Sequence, residues 1–303
     1  MSHVLTLESI GTHWHIEIFD EIDDATWMEI VREIHDMMQV FESSYSRFIP
    51  DSFIGLLNSE KTVQNFPQEM YDLISYANHI TELTKGSFNI AVGTHLENLG
   101  YDTKYSFINK NKKVEIKNLD WLIDFTPNQI QISPEVTLDL GGLGKGWLID
   151  KIRDYFLSKN INYFLINGGG DIYFTSKEGE TKKFALESPF GENEMIGTIN
   201  IRNAAIACSS PVRRTWLDTE NRRNLHHLID ANSGENNPDI ASVFTYGENS
   251  LQTDIGSTAI FISEPSLVKS IAEKLNINFL VIFSDGNYFK SPGYPGVMNE
   301  KIN

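Results

Sequence analysis

Four short stretches of this sequence combine residue types that can do chemistry. The first is LDLGGLGKG at 138–146. Its glycines at 141, 142, 144 and 146 remove four side chains from one bend, so backbone can come close to a ligand. Lys145 adds a point charge there, which suits the pyrophosphate of a nucleotide. The stretch is not a Walker A loop: Asp139 stands where that loop needs its first glycine, and Gly146 where it needs Ser or Thr. A tight strand–helix turn with a solvated lysine would read the same way.

The second stretch, NGGGDI at 167–172, ends a glycine cluster on a carboxylate, and a packing constraint at a strand end accounts for it equally well. The third, HHLIDANSG at 226–234, sets His227 three residues before Asp230 beside a glycine turn. An isolated histidine is more often structural than catalytic. His13 and His15 share one strand face without a third ligand and read as structural. The fourth is TDIGSTAIF at 253–261. Asp254 and Thr258 stand at i and i+4, one helical turn apart on one face, with Ser257 beside them. A carboxylate and a hydroxyl so placed suit a hard cation such as Mg²⁺, which keeps positions open for phosphate oxygens. An N-cap Asp above a packed Thr is the plain alternative.

These residues need elements to hold them. HWHIEIF at 13–19 alternates like a half-buried strand. Trp27, Ile30, Val31, Ile34, Met38 and Phe41 then mark one face of a helix, with Asp23 or Asp24 as its cap. Met70, Leu73, Ile74, Ala77 and Ile80 predict a second helix ending before Gly86. KVEIK (113–117) and QIQIS (129–133) alternate as short strands. VTLDL (136–140) predicts a strand running into the glycine bend, followed by a helix from about Trp147 to Leu157. YFLIN (163–167), ASVFTY (241–246) and FLVIF (279–283) predict further strands. A helix is expected near Asp254, and another with Pro265 in its first turn. No repeat or polar linker divides the chain, so the expectation is one α+β unit over residues 1–303, a mixed sheet flanked by helices.

Composition bounds the function. With 303 residues and a net charge of −16, the chain lacks the clustered Lys and Arg of a sequence-independent nucleic-acid or anionic-lipid binder. A bound cation can still reverse the field in one pocket. Cys208 is the sole cysteine, so no intrachain disulfide or Cys-based zinc site exists. The N-terminal sequence has no basic n-region or signal-length apolar run, which predicts a cytoplasmic setting without a membrane anchor.

Read together and in order, the motifs resemble the ApbE family of flavin transferases, which take FMN from FAD and attach it to a protein. The family pattern S-x-[YF]-x-P-x-S-x-I-x-x-L-N is met by Ser46, Phe48, Pro50, Ser52, Ile54 and Asn58. T-x-G-x-F-[DN] is met by Thr84, Gly86, Phe88 and Asn89. L-D-L-G-G-[IL]-x-K-G lies at 138–146, N-x-G-G-D at 167–171, S-H-I-I-D-P-x-T-G around His227–Gly234, and A-D-x-x-[AS]-T at Asp254, Ser257 and Thr258. The resemblance covers residues 8–285.

It implies a T-fold-like architecture and a role for each matched position. The metal, Mg²⁺, would sit between the backbone carbonyl around Gly142 and the oxygens of Asp254 and Thr258, with Ser257 as a weaker ligand. FAD, the substrate, would meet Ile10, Phe48, Ser87, Phe88, Asn89, Asp139, Lys145 and Ile229. His227, Lys145 and Asp254 would be catalytic. The partner would be an acceptor protein flavinylated on Thr or Ser, with AMP released. A hydrolytic variant giving FMN and AMP, or a flavin-binding protein without turnover, would share these residues. Departures from the pattern are Ile10 for Met, Gly144 for Ala, Asn89 for Asp and Ala231 for Pro. Most members also carry a lipobox cysteine near the N-terminus, which this sequence lacks.

Overall fold

The computed structural model describes residues 2–110, 123–126, 128–177, 179–191, 193–212, 214–218 and 222–299. Strands β1 (His3–Ser9) and β2 (Thr12–Ile18) form a hairpin closed by Ile10 and Gly11. Both turn residues have positive φ, 52° and 65°, the combination whose twist matches a two-residue hairpin. Gly11 adopts it freely, whereas the β-branched Ile10 is held there against its preference. Helix α1 (Asp24–Tyr45) begins at Asp23, whose carboxylate accepts the Thr26 N–H at 2.7 Å. Of its predicted stripe, Ile30, Ile34, Met38 and Phe41 are buried and Trp27 and Val31 half-buried, and Tyr45 extends the buried face. Helix α2 (Phe53–Glu60), capped by Ser52, leads to β3 (Thr62–Gln64) and α3 (Gln68–Leu83). α4 (Gly93–Asn98), β4 (Ile123–Thr126) and β5 (Gln129–Ile132) follow, and β3, β5 and β4 make a small sheet. The KVEIK segment lies outside the described residues.

VTLDL is not a strand. Thr137 makes one parallel bridge to Val92, and Asn58 holds Leu138 by both its main-chain N–H and carbonyl. Side-chain clamping has replaced a ladder there. Helix α5 (Gly144–Ser158) starts three residues earlier than expected, placing Lys145 in its first turn. After it come β6 (Phe164–Gly168), β7 (Asp171–Thr175), β8 (Lys182–Glu187), β9 (Met195–Ile201), β10 (Ala204–Ser209) and the hairpin β11 (Thr215–Asp218) with β12 (Arg223–His226). Then follow β13 (Ile240–Gly247), α6 (Ser250–Ile262), a 3₁₀ turn at Pro265–Leu267, α7 (Val268–Lys274), β14 (Asn278–Phe283), β15 (Tyr288–Lys290) and β16 (Val297–Met298). Asp254 therefore lies inside α6, and the N-cap is Asn249, which accepts the Gln252 N–H.

The main sheet has the order β1-β2-β6-β7-β10-β13-β14-β15. All of its described ladders are antiparallel, so the α+β class holds while the expected mixture of strand directions shrinks to the Val92–Thr137 bridge. Alternation along the strands gives the sheet two buried faces. Trp14, Ile16, Ile166, Ala205 and Val243 face the helices. Leu165, Phe174, Ile206 and Phe244 face the second small sheet, β16-β9-β8. Among the described residues no helix is long and apolar enough to cross a membrane.

Candidate active site

α5 and α6 lie on the helix-bearing face and meet at their N-terminal ends, nearly backbone to backbone. A Cβ on Gly146 would lie 2.5 Å from the Ser250 carbonyl oxygen and 2.8 Å from Asp254 Cβ. That closeness lets the Gly146 N–H donate to Asp254 Oδ2 at 2.8 Å. Asp150 completes the joint by accepting the Ser250 and Leu251 N–H groups at 3.0 and 2.9 Å, satisfying two otherwise orphan donors of α6. Gly146→Ala should force the helices apart, costing about 1–3 kcal/mol as overpacking does. A denaturant midpoint equal to wild type would refute the contact.

At this joint Lys145 Nζ donates to Asp171 Oδ2 at 2.5 Å and to Asp254 Oδ1 at 3.1 Å. Both carboxylates are buried. Burial, then the neighbouring Asp171 charge, push the Asp254 carboxyl up to about 6, with Lys145 opposing. Burial works against the Lys145 ammonium, but the two carboxylates outweigh it and hold Lys145 above its ordinary value. Beside this triad, Ser209 Oγ lies 2.8 Å from Ser257 Oγ and 3.0 Å from Thr258 Oγ1. Gly142 passes close by: a Cβ there would meet the Phe88 ring at 3.2 Å and the Thr258 methyl at 3.8 Å. One buried carboxylate and three hydroxyls bonded only to neutral partners make a hard-oxygen set that fits Mg²⁺. No group of three His, Cys, Asp or Glu side chains able to hold a metal exists among the described residues.

The loop from Asp139 to Leu143 connects this cluster to a second one. Asp139 accepts the Gly141 N–H at 2.6 Å and the Arg47 Nε–H at 2.5 Å. Arg47 is buried, donates to the Tyr101 carbonyl, and lies 4.2 Å from the Phe48 ring centroid. Phe48 stacks on Tyr105, and Tyr101 on Trp216, giving an aromatic wall suited to a planar heterocycle. Arg214 ties the wall to the β1–β2 turn through the Tyr101 hydroxyl and the Gly11 carbonyl, next to Ile10.

The predicted residues fall into three sets. Lys145, Asp254, Ser257, Thr258 and Gly142 converge with Phe88; Asp139, Phe48 and Ile10 belong to the Arg47–Arg214 cluster. Ser87 and Asn89 are buried; the Ser87 carbonyl accepts the distant Ala231 N–H, and the Asn89 side chain accepts the Ala91 N–H two residues on. The Ile229 side chain is spent on packing against Leu96, Leu99 and Trp216. Gly144 has a local reason, since a methyl there would come within 3.2 Å of the Phe41 ring. Sequence reasoning missed Arg47, Ser209 and Arg214, and gave Asp171 no role. Arg47 at least had a signal, lying inside the S-x-F-x-P stretch; Ser209 and Arg214 had none.

The His227 imidazole lies near Arg214, and its Nδ1 is buried without a hydrogen-bond partner. Burial, then the positive charge of Arg214, hold this imidazole down at about 3, so it is neutral near pH 7. Burial holds His226 down at about 4. Asn236 Nδ2 lies 3.1 Å from its Nδ1, and the Phe261 ring stands edge-on. A histidine depressed in the fold adds stability that is complete above pH 6.5 and is lost as pH falls toward 4. For His226 the difference is about 3 kcal/mol. His226→Gln should flatten melting temperature against pH between 6.5 and 4; an unchanged slope would refute this.

A scaffold that leads a glycine bend and two strand ends to buried charge of both signs has the form of an enzyme acting on a phosphorylated ligand. The chain belongs to the ApbE family, whose sequence model it matches over residues 10–283. A curated FAD:protein FMN transferase from Haemophilus influenzae is 24% identical, over 94% of this chain and 87% of that protein. Another, from Treponema pallidum, is 25% identical over 94% and 85%. The fold is shared with the crystal structure of the ApbE protein from Thermotoga maritima, with a TM-score of 0.83, 21% identity and coverage of 96% of this chain and 97% of that one. The flavin transferase ApbE from Vibrio cholerae superposes with a TM-score of 0.78 at 20% identity, covering 96% and 97%.

Proposed function

We propose that this flavin transferase moves FMN from FAD to a threonine or serine hydroxyl of an acceptor protein and releases AMP, with Mg²⁺ in the Asp254 site. The observation that carries the reading is the convergence of Lys145, Asp171 and Asp254 with the Ser209, Ser257 and Thr258 hydroxyls beside the glycine bend. Asp254 and Thr258, with Ser257 and the Gly142 carbonyl, would hold the cation, which supplies charge neutralisation at the pyrophosphate. The acceptor oxygen forms a bond to the FMN-side phosphorus. The bond from that phosphorus to the AMP oxygen breaks, AMP takes the electron pair, and the hydroxyl proton passes to a base.

Lys145 contributes positive charge where the pyrophosphate gains negative charge, a reaction type governed by positioning and neutralisation. His227 offers an unpartnered Nδ1 as the base. A bound diphosphate brings negative charge beside the ring and raises its affinity for a proton. The Phe48–Tyr101 wall stacks a ring of FAD, and Arg47 keeps Asp139 in place. Incubating the protein with FAD, Mg²⁺ and candidate acceptor proteins of the same cell tests the reading. Flavin fluorescence on the denatured acceptor supports it; free FMN with AMP alone would replace it by hydrolysis, and unchanged FAD by simple binding. Chelating Mg²⁺ should weaken FAD binding at least about tenfold, equivalent to about 1.4 kcal/mol. Equal affinity in EDTA would remove the metal from the binding step.

A further inference from the structure

A cleft of about 740 Å³ opens on the other face of the main sheet, behind the strand ends that carry the active site. Asp171 and Ser209 point toward the helices, whereas Ile172 and Cys208, their neighbours on β7 and β10, line the cleft. The two sides meet at Gly169–Gly170, which line the cleft and run directly into Asp171. Both glycines have positive φ, 72° and 107°, and a Cβ on Gly170 would meet nothing within 4 Å. Gly169 packs closely on Thr12, so the rim between cleft and active site is open at Gly170.

The opposite wall is β8, an edge strand of its small sheet. Residues 184–189 line the cleft consecutively although their side chains alternate in direction, so the cleft follows the strand's backbone edge. An edge of this kind takes an extended polypeptide as an added strand. The lining suits a dinucleotide poorly: it holds Glu187 and Glu8, the latter 3.1 Å from the lining His13, with neither Lys nor Arg among the described lining residues. FAD carries a pyrophosphate that needs cations, and those lie on the helix side of the sheet.

We propose that this cleft seats an extended, neutral or basic segment of the acceptor protein, which runs beside β8 and delivers its hydroxyl over the Gly169–Gly170 turn. The proposal rests on the flavin-transfer reading. Its test uses FAD and the acceptor protein that takes up flavin in the assay above. Ala185 and Val212 are exposed positions lining the cleft. Ala185→Trp and Val212→Trp should each lower kcat/KM for the acceptor at least about tenfold, about 1.4 kcal/mol, mainly through KM, while FAD affinity stays at the wild-type value.

Met28→Trp, at an exposed position on α1, is the control for a surface tryptophan and should change neither constant. A melting scan identifies a variant that misfolds, and the other then decides. Wild-type acceptor kinetics in the folded variants would overturn the proposal. So would a parallel loss of FAD affinity, which would make the cleft a flavin site. Absence of transfer by the wild-type protein would overturn the flavin-transfer reading, and this proposal with it.

Discussion

Asp254→Ala should reduce FMN transfer by about 10³-fold or more, the scale on which removal of a preorganised electrostatic group acts. Two interactions converge on this carboxylate, from the Lys145 ammonium and the Gly146 N–H, and the proposed cation would add a third. Asp254→Asn separates charge from shape, because the amide can still accept from Gly146 while losing the negative charge a cation needs. It should fold like wild type and show the same loss of transfer. The pH profile of metal binding follows from the carboxyl being pushed up to about 6. Protons compete with the cation below that value, so Mg²⁺ affinity should fall as pH drops from 7 to 5. Full transfer by Asp254→Ala at saturating Mg²⁺ would sink the site assignment.

The second large effect is on stability as well as rate. Lys145→Met leaves Asp171 and Asp254 buried and facing each other without their shared cation. Removing one partner from a buried charge cluster costs about 3–5 kcal/mol, because the remaining charge is uncompensated. The pH dependence distinguishes this from lost packing. Burial already raises the Asp254 carboxyl, and without the opposing Lys145 charge it binds a proton still more tightly in the fold than in the unfolded chain. The penalty is then complete above its folded value and relieved as pH falls below it. Lys145→Met should therefore lie far below wild type in melting temperature at pH 8 and much closer to it at pH 5. Millimolar Mg²⁺ should restore part of the difference at pH 8. Equal destabilisation at both pH values would mean that the lysine stem, not its charge, holds the joint. Transfer should fall by about 10²-fold or more at either pH, since the site would lose the cation proposed to face the pyrophosphate.

What the sequence by itself determined was local. The stripe of α1, the Asp23 cap and the one-turn spacing of Asp254 and Thr258 depend on residues within a few positions of each other, and each appears in the structure. Motif order was enough to place the chain in its family, because residue types at spaced positions are read without knowing where the chain goes. Tertiary structure decided the partners. Lys145 meets Asp171 across 26 residues and Asp254 across 109, and no periodicity encodes which carboxylate a lysine will reach. VTLDL has a strand's composition, yet the Asn58 side chain, not a ladder, holds its backbone at Leu138. Ser209 and Arg214 had no local signature, since a serine at a strand end and an arginine before a hairpin acquire meaning only from what the fold sets opposite them. The net charge of −16 likewise said only what the surface is. Tertiary structure brought Lys145 and Arg47 onto carboxylates beside one glycine bend, because buried charges persist only where opposite charges and donors converge on them.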